Sequence, residues 1–280
     1  MTAELISIAV AAPSAPYGSH LARATRFVAD AAAHMREIAH AIDASLTELV
    51  DGAATRRAVT DAIRAAATRL RPAPPGLFVL SYAGHGGRVA DASGDEDDGY
   101  DEAWALDDRP LTDDDLTELL AEFDRDVHVV LISNCCFSDG MIDDPAQSAI
   151  RPRLPAGALA RPARPPMERC ATGSSNGIPL APTGDGDARD ADAGITNRIV
   201  IASCGVHQMM ILPDSSRLTL RVLDAVFPLD GAARRRHPTD YAAVERLVAG
   251  LASVTQTPIV RAPDPDMRRQ AFVAQPLRPR

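Results

Sequence analysis

The sequence predicts an α/β fold built on a mostly parallel sheet. Short apolar runs alternate with amphipathic helical stretches along most of the chain, the pattern of strands joined by crossover helices. The runs are apolar at nearly every position, as strands covered on both faces are. Of the 280 residues, 46% are hydrophobic, enough to fill a sizeable core.

Taken in order, Leu5 to Val10 reads as a buried strand. Arg23 to Ile42 reads as a helix, because Phe27, Ala31, Met35, Ile38 and Ile42 recur on one face. Leu46 to Val50 is a second strand. Ala54 to Leu70 is a helix with Val59, Ile63 and Ala66 on one side, and Pro72, Pro74 and Pro75 stop it. Leu77 to Ala83 and Val127 to Ser133 are two further buried strands. Between them Asp113 to Phe123 reads as a helix whose acidic first turn suits the helix dipole. Asn197 to Cys204 is a strand, Ser216 to Phe227 and Asp240 to Ser253 are helices, and Thr257 to Ala262 is a last strand.

Composition narrows the function. The chain carries 29 basic and 38 acidic residues, a net charge of -9, which disfavours nucleic-acid binding. No apolar run is long enough to span a membrane, and "MTAELISIAV" lacks the regions of a signal peptide. Four cysteines in a chain of this length read as cytoplasmic thiols rather than a disulfide framework.

In parallel sheets the chemistry collects beyond the carboxyl ends of the strands. Two motifs fall there: "GHGG" after Leu77–Ala83 and "CCFSDG" after Val127–Ser133. A cysteine nucleophile needs an imidazole that activates it and later protonates the leaving amine. His85 and a cysteine at 135 or 136 supply both groups on neighbouring loops. Backbone N–H groups at Gly86 and Cys136 offer an oxyanion hole. The plainer alternative is a glycine turn with an exposed histidine beside buried thiols. The acidic stretch "DASGDEDDGYDE" (Asp91 to Glu102) does not fit an EF-hand loop. It reads as a solvated loop or as a source of oxygen ligands for a hard cation.

The segment "FVLSYAGHGGRVADASGDEDDGYDEAWALDD" resembles the histidine region of the caspase-like peptidases, most of all the metacaspases and prokaryotic orthocaspases. "VVLISNCCFSDGMID" resembles their strand followed by D-x-C-H-S-G. Cys136 follows His85 by about 50 residues, a spacing known for caspases. The resemblance covers residues 4 to 144 well and 197 to 275 more weakly. It implies a three-layer α/β/α sandwich with a mostly parallel six-stranded sheet, in a single domain. Within that domain 1–144 would be the large part, 145–196 a flexible linker and 197–280 the small part.

The resemblance also implies roles. His85 is the general base and acid, and Cys136 the nucleophile, with Cys135 an incidental neighbour. Asn134 stands where the family has a pocket aspartate, Phe137 where it has histidine, and Asp139 where it has glycine. Asp30 matches a second pocket aspartate. Asp30, Asn134 and position 202 at the end of "NRIVIASC" (Ala202, then Ser203) are the expected substrate-binding residues, and cleavage after Arg or Lys is expected. No cofactor is required for the dyad. Calcium is the cation the family suggests, with Asp98, Asp101, Asp113, Asp114 and Asp143 as ligands. Partners would be protein or peptide substrates and an upstream activating protease. The linker arginines Arg153, Arg161 and Arg164 are expected processing sites. The resemblance further implies regulated proteolysis, in cell-death-like or defence responses, by a monomer. Two rival readings remain: a catalytically inactive caspase-like binding module, and a calcium-responsive module.

Overall fold

The structure is a computed structural model. It describes residues 2–14, 25–71, 76–94, 96, 99–136, 138, 141, 198–204, 241–250, 252 and 257–261. The expected linker 145–196, the helix Ser216 to Phe227, and Phe137, Asp139, Asp98 and Asp143 lie outside these residues, as do Arg153, Arg161 and Arg164.

Six strands form the main sheet: β1 (Thr2–Ala9), β2 (Ser45–Val50), β3 (Gly76–Ala83), β7 (Val127–Asn134), β8 (Arg198–Ala202) and β9 (Ile259–Arg261). Their order is β2-β1-β3-β7-β8-β9, and only β9 runs antiparallel to its neighbour. The mostly parallel six-stranded sheet expected from the sequence is therefore present.

The alternation of side chains along each strand builds two cores. Ile6, Ile8, Phe78, Leu80, Val129 and Leu131 pack with Val59, Ile63 and Leu70 of α2 (Arg56–Leu70) and with Leu116 and Leu120 of α3 (Asp113–Leu120). The other face, with Leu5, Leu77, Val79, Val130 and Ile199, packs on Met35 and Ile38 of α1 (Thr25–Ala41) and on Val248 of α4 (Tyr241–Ala249). Helices thus cover both sheet faces, giving the three layers. Phe78 and Phe123 stack with centroids 4.3 Å apart in the first core, a geometry that adds about 1 kcal/mol to plain burial.

One segment departs from the expectation. The stretch read as an acidic loop leads into a second sheet of three antiparallel strands: β4 (Gly86–Ala90), β5 (Tyr100–Ala105) and β6 (Pro110–Thr112). Asp101 and Glu102 belong to β5 and are buried. Burial of Glu102 is offset by Arg88 on the partner strand, whose Nε and Nη2 both donate to one carboxylate oxygen, at 2.8 and 2.7 Å. Smaller differences are at element ends. The α2 helix starts at Arg56, capped by the Thr55 side chain, after a 3-10 turn over Asp51–Ala53. The α3 helix ends at Leu120, before Phe123.

Candidate active site

The site stands where β3 and β7 end side by side. Their pairing closes with Ala83 opposite Asn134, and the Gly84 N–H donates to the Asn134 carbonyl at 3.3 Å. His85 and Cys136 are each the second residue beyond that pair. The parallel register itself brings imidazole and thiol onto neighbouring turns at one sheet edge.

The glycines flanking His85 are there for close packing. A Cβ at Gly86 would lie 2.0 Å from the Cys136 carbonyl oxygen, and one at Gly84 would lie 2.9 Å from the Val10 carbonyl oxygen. Neither distance tolerates a side chain. The backbone of Gly86 is thereby pressed against that of Cys136, the two residues expected to furnish oxyanion donors.

The His85 carbonyl accepts from the Tyr82 hydroxyl at 2.7 Å and from the Ala105 N–H at 2.9 Å. His85 itself is partly exposed. Tyr82 is fully buried and stacks on Trp104 of β5, with ring centroids 4.6 Å apart and planes 9° from parallel. The small sheet therefore braces the histidine turn from below.

The two adjacent cysteines have different surroundings. Cys135 points into the first core, fully buried beside Ser133, whose Oγ is 3.5 Å from its Sγ. Burial pushes its thiol pKa well up, against a smaller lowering by the Ser133 hydrogen bond. Cys136 lies on the opposite side, against Ala9, Phe27, Val28, Ala31 and Ala83, and retains 6% exposure.

The turn carrying the cysteines is pinned to the end of β8. Ser138 Oγ accepts from the Cys204 N–H at 3.0 Å and lies 3.2 Å from Ser203 Oγ. Ser203 Oγ and Cys204 Sγ both donate to the Cys135 carbonyl, at 3.1 and 3.2 Å. Cys204 is thus a structural contact of the cysteine turn. Tyr82, Ser133, Trp104 and Ser138 escaped the sequence reading. The tyrosine in Y-x-G-H-G and the serine in the cysteine motif were the available signals.

The expected pocket residues divide. Asn134 is 1% exposed, and among the described residues neither its amide oxygen nor its amide nitrogen has a hydrogen-bond partner. Ala202 and Ser203 are buried beside the same sheet edge. Asp30 is exposed on α1, while its neighbours Phe27, Val28, Ala31 and Ala32 take the side facing Cys136.

The expected cation ligands are regrouped. Among the described residues, the carboxylates that converge are Glu96, Glu102 and Asp113, with ligand oxygens within 4.8 Å of one another. Asp101 is not in this group because it alternates with Glu102 along β5. Asp114 is not in it either, being the next residue round the helix from Asp113. Three clustered oxygen donors, two of them buried, suit a hard cation such as calcium.

Comparison with known proteins agrees with this geometry. The family described as "Metacaspase, peptidase C14 domain" matches residues 23–145. Metacaspase-7 of Arabidopsis thaliana is 40% identical over 78 residues, 27% of this chain and 19% of its own length. Metacaspase-6 of the same plant is 38% identical over 78 residues, 27% of this chain and 21% of its own length. This chain therefore matches only about a fifth of the length of those curated relatives. Protein GSU0716 from Geobacter sulfurreducens, a solved structure, superposes with a TM-score of 0.59 at 25% identity, covering 97% of this chain and 98% of that one. Among the described residues no helix is long and apolar enough to cross a membrane. A histidine turn and a cysteine turn stand in register at the end of a three-layer sheet, and the metacaspase match over residues 23–145 spans both, so this part of the chain is similar to the metacaspases.

Proposed function

We propose that this chain is a cysteine endopeptidase in which Cys136 is the nucleophile and His85 moves the protons. The observation that carries the reading is the register of β3 on β7, which sets both residues two positions beyond the Ala83–Asn134 pair. The Cys136 thiolate attacks the scissile carbonyl of a protein or peptide substrate, and a C–S bond forms. The N–H groups of Gly86 and Cys136 hold the oxyanion. The C–N bond then breaks, and the imidazolium of His85 gives its proton to the leaving amine. His85 next takes a proton from water, whose oxygen displaces the thiolate from the acyl group.

Cleavage after Arg or Lys follows the family resemblance, and Asn134 supports it. Its buried amide oxygen has no partner among the described residues and can accept from a guanidinium or ammonium. The linker arginines Arg153, Arg161 and Arg164 are then substrates of the enzyme itself or of an upstream protease. Mass spectrometry and peptide turnover, wild type beside Cys136→Ala, test this together. The expected result is hydrolysis of arginyl peptides and linker scission in the wild type, with hydrolysis lost in the variant. Equal turnover in both proteins overturns the reading.

Calcium binding is proposed at Glu96, Glu102 and Asp113. The ion would supply a positive charge that ties the Glu96 segment to β5 and the start of α3. Titration calorimetry is expected to show one calcium site in the wild type and none in Glu96→Gln. Absence of binding heat in the wild type removes the proposal.

A further inference from the structure

Beneath the two catalytic turns runs a continuous buried path of contacts. It starts at the His85 carbonyl, which accepts the Tyr82 hydroxyl at 2.7 Å. The Tyr82 ring lies flat on Trp104. The Trp104 indole N–H donates to Ser133 Oγ at 2.9 Å, and that oxygen lies 3.5 Å from Cys135 Sγ. Trp104 itself sits on β5 opposite Gly86, so the small sheet meets the histidine turn at the same point. All of Tyr82, Trp104, Ser133 and Cys135 are at most 1% exposed.

Such a path does more than fill volume. The buried Tyr82 hydroxyl lies 2.7 Å from the His85 carbonyl and 3.1 Å from the Ala105 carbonyl, the buried Trp104 N–H donates to Ser133 Oγ, and deleting either donor takes a hydrogen bond from acceptors in a low-dielectric core. Each contact therefore has one favoured geometry, and the stacked rings transmit it from one turn to the other. We propose that Tyr82 and Trp104 are positioning residues that set the His85 turn against the Cys136 turn. This inference rests on the peptidase reading above. The two rings act through the His85 carbonyl and through Ser133.

The test reads the dyad without needing a substrate. A thiol paired with an imidazole ionises below the ordinary thiol range, and separation from the imidazole returns it upward. The pH dependence of Cys136 alkylation by iodoacetamide, followed by peptide mapping, reports this directly. In the wild type the midpoint is expected below that of an ordinary thiol, and His85→Ala is expected to raise it. Tyr82→Phe keeps the ring and deletes the hydroxyl. It is expected to raise the midpoint in the same direction by about half a pH unit. It should also lower kcat about tenfold with KM unchanged. Trp104→Phe removes the indole N–H and provides a second variant should the first fail to fold, with the same direction expected. Tyr82→Phe and Trp104→Phe proteins that are folded and keep the wild-type alkylation profile, while His85→Ala shifts it, overturn the positioning role alone. A wild-type profile in His85→Ala as well overturns the dyad itself and the positioning role with it. Shifted profiles in a protein that hydrolyses no peptide uphold the positioning role and refute the endopeptidase reading.

Discussion

Cys135 and Cys136 end up on opposite sides of the turn after β7, in different surroundings. Cys135 takes the side of Ser133 and the first core, where burial holds it as a thiol. A neutral buried thiol is a poor nucleophile. Cys136 takes the side of α1 and keeps some exposure. From the sequence, the choice between them rested on a family frame, because which way each points depends on a turn that no periodicity encodes. Arg198 is a second residue whose situation only the structure shows. It is buried at the start of β8, its Nη2 reaches the Thr117 carbonyl at 3.4 Å, and among the described residues it has no carboxylate partner. Burial lowers its pKa to about 9, so at neutral pH it still carries its charge into the core. Arg198→Met is expected to stabilise the protein by about 1–3 kcal/mol, since an apolar chain of similar length replaces an uncompensated charge. Urea unfolding measures this, and a loss of stability in the variant contradicts it.

Among the elements, the parallel strands were the legible part. β1, β3 and β7 are buried almost throughout and mostly apolar, as doubly covered strands are, and the carboxyl ends of β3 and β7 located both motifs. The three short antiparallel strands were not legible. Asp101 and Glu102 give β5 a charged start, and only the cross-strand pairing of Glu102 with Arg88 shows how the carboxylate is buried. Glu96, outside the expected ligand set, comes near Asp113 only through this fold. The start of α3 was legible and is well built. Thr112 Oγ1 accepts from the Asp115 N–H at 3.2 Å and Asp115 Oδ2 accepts from the Thr112 N–H at 3.1 Å, a reciprocal capping box. Arg56 of α2 pairs with the same Asp115, tying the two helices together. Thr112→Ala is therefore expected to cost about 1 kcal/mol in thermal or urea unfolding. A variant as stable as the wild type would show that the cap is redundant with the Arg56 contact.

For the molecule as a whole, the sheet order brings three chain segments to one edge. β3 brings His85, β7 brings Cys136, and β8 brings Ser203 and Cys204, which hold the Cys135 carbonyl. The segment between β7 and β8 joins the two sides of this contact, so its cleavage would leave the site held by β7–β8 pairing and these hydrogen bonds. The central claim is that this assembly makes Cys136, and not Cys135, a nucleophile paired with His85. Labelling with an arginyl chloromethylketone, with the adduct located by peptide mapping, tests it most directly. The account predicts one adduct on Cys136 in the wild type and a much slower reaction in His85→Ala. An adduct on Cys135, or labelling of Cys136 at the same rate without His85, would contradict it.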